Sequence, residues 1–597
     1  MKISSYYHQC INRFITPLKH EPVFFCLIIL FIYLPHFTYE ISDILDLNSV
    51  SSAYYSFRWI AITMAFPVFF SYLLTWFVCK IHSSIIKYSI IFLTALLALI
   101  TFFLYFNFST IISPWILLLL QETNTNEASE FISTYLFTTK NIYVLLILIF
   151  IIVLSVIFER RLKRKISLSN YHKSVLFLLV FSFFPVGIFM FGKNIQLTFL
   201  RTQYQIEEWR HNLGGYVLPN TITNIIYSML YLHVSGRDNE KAIKCCLEAS
   251  KKNATCDNKD SLNIIFIIGE SFNKYHASIY GYYLNTTPYM ANERQKGNLF
   301  VFKDAVSPYN MTTFAVKNIL STNILEEGEP WFGKPAFPII FKKAGFHVTI
   351  WDNQKPDKDV SAYDYALESY MYAPQIVPVA YHEYNSKTYD YDEYLIRSFL
   401  LESHKSLRNL HIFHLMGQHS NASKRFPDKK QYKTLKANDI KNNLLNKYQK
   451  QTIANYDNAT IYNDMIIKKI IDIFSNSSSI LVYLSDHGEE VYDYRNFVGR
   501  SHEENKTQQA LKYQYNIPMV VWCSDKFMKL YPEKTTSIKK AINKPFLSSN
   551  ISQMLLSLAS IKTPFYREDK DILNKQYQCG KRIIQNKKDY DIIMNRK

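Results

Sequence analysis

Ser479-Ile480-Leu481-Val482-Tyr483-Leu484-Ser485-Asp486-His487-Gly488-Glu489-Glu490 is the stretch on which the reading of this chain turns. Its first six residues are apolar for the most part, with β-branched and aromatic side chains, and polar residues stop the run. That pattern predicts a buried strand. In open α/β sheets, ligands bind outside the carboxyl ends of the strands. Asp486 and His487 therefore fall where a site belongs, and a carboxylate oxygen and an imidazole nitrogen are both zinc donors. Taken alone, the pair fits a polar loop equally well.

The same grammar recurs upstream. Leu262-Asn263-Ile264-Ile265-Phe266-Ile267-Ile268 is a second buried-strand run, and Gly269-Glu270-Ser271 ends it. Gly269 is expected to let the backbone turn or approach a ligand closely. Two apolar strands that end in carboxylates, Glu270 and Asp486, suggest one shared metal site; the alternative is two acids that face solvent. Further strands are expected at 346–351, 408–413 and 516–522. Helical periodicity runs through 453–474 at Ile453, Tyr456, Ile461, Met465, Ile466, Ile470 and Ile473. Alternating strands and helices predict βαβ units and a mainly parallel sheet. The 408–413 strand ends in His414 and, past Gly417, His419, while 346–351 ends in Asp352-Asn353-Gln354. Polar and metal-capable residues thus gather at four strand ends.

Outward from this domain the composition changes. Residues 1–192 hold five apolar runs, roughly 22–38, 57–79, 88–108, 142–158 and 175–191. Each is near the length of about 20 residues that crosses a bilayer core. The basic residues orient them. Lys2, Arg13 and Lys19 precede the first run, Lys80 and Lys87 follow the second, and Arg160, Arg161, Lys163, Arg164, Lys165 and Lys173 follow the fourth. The intervening loops are acidic, with Glu40, Asp43 and Asp46 in one and Glu122, Glu127 and Glu130 in the other. A cytoplasmic N-terminus and an exported C-terminal domain follow. The division expected is 1–192 for the spans, 193–260 for a connector on the membrane surface, and 261–597 for the exported domain. In the connector, Phe199, Arg201, Tyr204, Trp209 and Tyr216 suit a segment resting on a bilayer. The segment 115–130, bounded by Pro114, suits an amphipathic helix in the outer interface.

The net charge of +18 is partly topological, since eleven of the basic residues are the ones just placed on the cytoplasmic side. The exported stretch 424–450 carries eight lysines of its own. It reads as a solvated face or as an attraction to anionic lipid or glycolipid headgroups. Nucleic acid is not an expected partner on that side of a membrane. Five cysteines (Cys245, Cys246, Cys256, Cys523, Cys579) fall in the exported part, where disulfides persist. Cys256 with Cys245 or Cys246, and Cys523 with Cys579, are the pairings that sequence proximity and remainder suggest. The absence of a CxxC pair argues against a thiolate zinc site.

With these residues in place, the chain resembles the membrane-anchored phosphoethanolamine transferases of Gram-negative bacteria, within the alkaline phosphatase/sulfatase superfamily. The resemblance runs through Glu122-Thr123-Asn124-Thr125-Asn126-Glu127-Ala128, Gly269-Glu270-Ser271, Tyr280-Gly281-Tyr282 with Thr286-Thr287-Pro288, His414-x-x-Gly417-x-His419, Tyr456-Asp457-Asn458-Ala459 and Ser485-Asp486-His487-Gly488-Glu489. It implies an alkaline phosphatase/sulfatase-like exported α/β domain behind five membrane helices in the inner membrane, with that domain in the periplasm.

It further implies zinc (Zn2+) held by Glu270, Asp486, His487 and a threonine nucleophile, Thr312 by its spacing to Ser321, with Thr313 the neighbour that one residue of misalignment would substitute. His419 and His502, with His414 near them, match a substrate or second-metal shell. Gln354 and Lys358 match positions that hold the phosphoethanolamine group, and Thr123 and Glu127 belong to the interfacial segment. The implied donor is phosphatidylethanolamine and the implied acceptor lipopolysaccharide, with Thr312 carrying the group between them. The lipid A branch often brackets its nucleophile with cysteines and has a polar residue at the place of Leu119. Neither is present here, and the run Gly488 to Asp493 followed by Ser501-His502-Glu503-Glu504 looks more like the branch acting on core sugars such as heptose. A phosphoglycerol transferase of the same superfamily and a catalytically inactive membrane scaffold are the competing readings.

Overall fold

The computed structural model describes residues 2–45, 50–108, 111–112, 114, 116–117, 139–162, 169–212, 221–354, 371–404, 406–419, 422–500, 507–585 and 588–595. The chain divides into two compact units, Met1–Ser235 and Gly236–Lys597. The division falls inside the helix Thr221–Ser250.

The first unit is helical. Among the described residues, four helical stretches are long and apolar enough to cross a membrane: Met64–Ile81, Ser84–Phe106, Asn141–Glu159 and Asn170–Thr198. They become five if the pair His8–His20 and Pro22–Pro35, bent by 76°, counts as one span. The break falls at Glu21 and Pro22, where proline supplies no amide to the preceding turn. Most of the interfacial segment expected at 115–130 lies outside the described residues. Two expectations change. Lys87, read from sequence as a loop charge, lies in the first turn of the Ser84–Phe108 helix and is 5% exposed. Its ammonium donates to Glu21 Oε2 at 2.5 Å and also pairs with Glu159. Burying an ammonium demands such partners. Tyr204 and Trp209 do not lie open on a surface: they pack with Leu197, Ile206, Tyr227 and Tyr231, and Trp209 Nε1 donates to the Lys193 carbonyl at 2.9 Å. The indole has found both an apolar nest and an acceptor within the unit.

The second unit is built on an eight-stranded sheet. Its strands in chain order are β1 (Leu262–Gly269), β2 (Leu299–Val306), β3 (His347–Asp352), β4 (Glu383–Tyr384), β5 (Arg408–His414), β6 (Ser479–Ser485), β7 (Asn516–Cys523) and β8 (Phe546–Leu547). Across the sheet they run β8-β2-β7-β6-β1-β5-β3-β4. The block β6-β1-β5-β3-β4 is parallel, whereas β7 pairs antiparallel with both β6 and β2. Every residue of β1 is buried. Alternate side chains serve opposite faces. Ile264, Phe266 and Ile268 enter one core with Ile480, Val482 and Leu410, while Ile265 and Ile267 enter another with Leu481, Phe413 and Ile466, Ile467 and Ile470 of the helix Lys447–Phe474. Strand β2 escapes a sequence reading because Lys303 and Asp304 interrupt its apolar run.

Register is what gathers the site. Ile268 lies opposite both Leu484 and His414, Gly269 opposite Ser485, and Asp352 opposite His414. Four parallel strands therefore end level with one another. A Cβ on Gly269 would stand 2.1 Å from the Tyr483 hydroxyl, so the glycine admits its neighbour strand's side chain. None of the eight cysteines is in a disulfide, which overturns both suggested pairings. Cys246 is buried in the core beneath the sheet, whereas Cys256 sits in a short strand opposite Ile561 and its thiol donates to the Ala559 carbonyl. Cys523 ends a central strand fully buried, and Cys579 is exposed.

Candidate metal centre and nucleophile

Glu270 and Asp486 leave the ends of the adjacent strands β1 and β6. The Asp486 amide donates to the Gly269 carbonyl at 2.9 Å, which carries the parallel ladder one step beyond the strands and fixes one side chain against the other. Ser271 then turns the chain with φ at 55°, an unfavourable conformation for a residue with a side chain. Three contacts hold that turn: its amide donates to Asp486 Oδ1 at 3.0 Å, its hydroxyl to Glu270 Oε1 at 2.6 Å, and its carbonyl accepts from the Tyr456 hydroxyl at 2.6 Å. Gly417, with φ at 46°, passes close by, since a Cβ on it would meet the Glu270 backbone at 3.0 Å.

Glu270, Asp486 and His487 are buried, and each offers a ligand atom within 4.8 Å of the others. Burial pushes the Asp486 carboxyl up, against the opposing pull of Glu270 and Arg500. Burial, with the nearby Arg500, lowers His487 to about 3, so its imidazole is neutral. His487 Nδ1 lies 3.0 Å from the Gly488 carbonyl; donating there leaves the Nε2 lone pair facing the carboxylates. Asp486 Oδ2 stands 2.9 Å from that Nε2 yet has no hydrogen-bond partner. Glu489 Oε2 nearby is also buried and unpartnered, and burial raises the Glu489 carboxyl to about 7. Unsatisfied buried acceptors of this kind are rare. Two carboxylates and a neutral imidazole around one point form a donor set that a zinc ion fits.

Thr312 is the first residue of the helix Thr312–Leu320. Its Oγ1 lies 3.1 Å from Glu270 Oε2 and 3.2 Å from His487 Nε2. Thr313 makes neither contact among those described. Gln354 donates from Nε2 to Glu270 Oε2 at 3.1 Å and to the Leu415 carbonyl at 2.7 Å. His414 is turned to Asp352, with Nδ1 and Oδ1 2.9 Å apart. Burial alone would lower it, but the charge of Asp352, with Glu270 and Asp486 beyond, holds it at about 9. His419 lies within electrostatic reach of Glu270, Asp486 and Arg500, and burial depresses it. Thr123, Glu127, Lys358 and His502 lie outside the described residues.

Sequence reasoning missed Arg500. Its guanidinium packs against His487 Nε2 and lies 3.6 Å from Glu270 Oε1, a cation among the candidate ligands. The only signal was a positive charge two residues before His502. The motif Tyr456-Asp457-Asn458 also acquires a physical role. Tyr456 accepts the Asn273 amide at 2.7 Å as well as bonding Ser271, Asp457 holds His276 and Tyr282, and Asn458 receives the Leu435 amide at 2.9 Å.

The chain belongs to the sulfatase family, whose model matches residues 262–561. It is similar to phosphoethanolamine transferase EptC of Escherichia coli K12, 25% identical over 491 residues that cover 79% of this chain and 80% of the relative. It is also similar to phosphoethanolamine transferase EptA of Helicobacter pylori, 27% identical over 414 residues, with 68% and 70% covered. Among solved structures, the C-terminal periplasmic domain of EptC from Escherichia coli in complex with zinc is 24% identical, with a TM-score of 0.48 and coverage of 57% of this chain and 96% of that one. The integral membrane lipooligosaccharide phosphoethanolamine transferase EptA of Neisseria meningitidis is 15% identical, with a TM-score of 0.48 and coverage of 92% and 98%.

Proposed function

We propose that this chain transfers phosphoethanolamine from phosphatidylethanolamine to lipopolysaccharide, with a core sugar such as heptose as the favoured acceptor and a lipid A phosphate second. It would work from the inner membrane, with residues 261–597 as the catalytic domain in the periplasm. The observation that carries this reading is the Thr312 hydroxyl, held within hydrogen-bonding distance of both Glu270 and His487 at the start of a helix. The names of the curated relatives support the group transferred.

Glu270, Asp486, His487 and Thr312 would hold zinc, which lowers the pKa of a coordinated hydroxyl and offsets charge on phosphoryl oxygens. Glu270 Oε2 accepts the Thr312 hydroxyl proton, and Gln354 keeps that carboxylate from rotating away. Thr312 Oγ1 bonds to phosphorus as the bond to the diacylglycerol oxygen breaks, and that oxygen leaves with a proton as diacylglycerol. Thr312 opens the helix Thr312–Leu320, and the start of a helix is a favourable end for an anion such as the phosphoryl group. In the second half, an acceptor hydroxyl bonds to phosphorus and releases Thr312 Oγ1, which regains its proton. By the family resemblance, His419 and His502 would protonate the leaving oxygens.

The test is to incubate the purified full chain with phosphatidylethanolamine alone, digest it and fragment the peptides. A phosphoethanolamine adduct on Thr312, lost on adding lipopolysaccharide and never formed after zinc is chelated, is the expected result. Lipopolysaccharide modified with no adduct, by a Thr312→Ala variant, would overturn the covalent route.

A further inference from the structure

The stretch 424–450 carries eight lysines and Arg425 against two acids, Asp428 and Asp439. It leaves the carboxyl end of β5 beyond His419 and returns into the helix Lys447–Phe474. It is a fixed surface. Phe426 and Ile440 are buried beneath it. Asn458 of that helix accepts the Leu435 amide at 2.9 Å and donates to the Leu435 carbonyl at 2.9 Å. Two residues earlier on the same helix, Tyr456 bonds Ser271 beside Glu270. Lys433 pairs with Asp428. Among the described residues no carboxylate pairs with Lys424, Lys429, Lys430 or Lys436, and all four are exposed.

Arg425 is the inner end of this surface. Its guanidinium is within electrostatic reach of Glu270 and Asp392. Its Nε is buried without a hydrogen-bond partner, a donor that folding leaves unused. Arg425 as a residue is only half-buried, so the rest of its side chain can meet an anion. Its electrostatic reach to Glu270 draws that anion toward the candidate metal site, where a phosphate on a flexible saccharide can follow and a planar bilayer cannot. Exposed lysines that stand ready in place bind an anion with little ordering cost, and like charges on one face steer it inward.

We propose that Arg425 with Lys424, Lys429, Lys430 and Lys436 binds the phosphate groups of a phosphorylated saccharide headgroup, the acceptor brought to Thr312. The proposal rests on the transferase reading and assigns the residues that would hold its acceptor. The surface is a binding element; Arg425 stands between it and the reacting atoms.

The experiment measures direct binding to full-length protein in neutral detergent, in a Thr312→Ala background so that no turnover occurs. The probe is labelled, phosphorylated core oligosaccharide, compared with the same saccharide after its phosphates are removed. Lys424→Glu, Lys429→Glu and Lys430→Glu together should weaken binding of the phosphorylated probe by about tenfold at low salt, and the gap should close as salt screens it. Arg425→Gln should weaken the same probe with less salt sensitivity. The dephosphorylated saccharide should not distinguish these proteins. Reversal of Lys526, Lys529 and Lys540, on another surface, should leave binding of the phosphorylated probe as it was. Equal affinity of the parent and the first triple variant for the phosphorylated probe would overturn the proposal, as would an equal loss from the second triple variant. If saccharide affinity holds and activity in proteoliposomes instead loses its dependence on phosphatidylglycerol, the lysines face lipid and the proposal fails. The transferase reading is judged separately by the adduct on Thr312: charge-dependent saccharide binding without that adduct would retain this surface and remove that reading.

Discussion

At the scale of single residues, Thr312 and Thr313 are chemically identical neighbours that the fold treats differently. Only the Thr312 hydroxyl meets Glu270 and His487. Thr312→Ala should therefore abolish transfer while zinc content, read by elemental analysis, stays near that of the parent, because three ligands remain. Thr313→Ala should keep most of the activity; the opposite pattern would move the nucleophile by one residue. His276 offers a test of stability rather than chemistry. It is buried between Asp457, 2.6 Å from Nδ1, and Asp493, 3.2 Å from Nε2. Burial opposes its charge, but Asp457 and then Asp493 outweigh that and raise it to about 10. A histidine raised in the folded state adds stability that is complete below its unfolded value, near 6.5, and is lost as pH climbs through about 10. Denaturant titrations should show stability falling across that window. His276→Gln should flatten the slope and cost about 3 kcal/mol at neutral pH, as breaking a buried charge pair does. A variant with the parent's slope would show that the imidazole is neutral between its two acids. Glu270, Asp486 and His487 were legible as strand-end residues because the apolar runs before them are unbroken. Arg500 was not, because the strand it follows, Val498–Gly499, is two residues long and carries no apolar run, and only tertiary structure brings its guanidinium to His487.

At the scale of elements, the helix Lys447–Phe474 does two jobs in successive parts of its length. Its apolar stripe, Ile466, Ile467, Ile470 and Ile471, covers one side of the sheet; the helical period read from sequence included Ile466 and Ile470 but took Met465 and Ile473, which are only half-buried, in place of Ile467 and Ile471. Its polar residues Tyr456 and Asp457 hold the connection that follows β1, and Asn458 holds the segment at Leu435, which no periodicity reveals. Asn458→Ala should release the Leu435 backbone. Amide exchange should quicken at Leu435, where the hydrogen-bond acceptor is lost, with a cost of about 1–3 kcal/mol for the unsatisfied groups. Unchanged protection there would mean that Phe426 and Ile440 alone hold the segment. The strands 262–268, 408–413 and 479–484 were legible to within a residue or two because both of their faces are buried. Strand β2 was not, since it lies between antiparallel β7 and the two-residue β8 and leaves Lys303 exposed. Direction was also hidden. A continuous apolar run such as Asn516–Cys523 reads the same whether its partners lie parallel or antiparallel.

At the scale of the whole molecule, the charge distribution sorts the chain across a bilayer. A reporter joined after residue 165 should remain cytoplasmic, and one joined after residue 240 should be exported, because Arg160 to Lys165 hold their loop inside. The reverse pattern would overturn the five-span arrangement and the proposed choice of a membrane lipid donor on the outer leaflet. Lys87 adds a matter of timing. In the folded protein its charge is cancelled by Glu21 and Glu159. Yet a chain is synthesised from its N-terminus, and Glu159 lies 72 residues behind Lys87 in that order. When the second and third spans enter the membrane, the lysine acts with only one of its two eventual counter-ions in existence. The same ammonium thus serves first as an orienting charge on a nascent chain and later as a staple within the finished bundle. Lys87→Met should separate the two roles: early topology, read in truncated chains ending before residue 159, should weaken, whereas Glu159→Gln in the complete protein should leave its topology as it was and lower only its thermal stability.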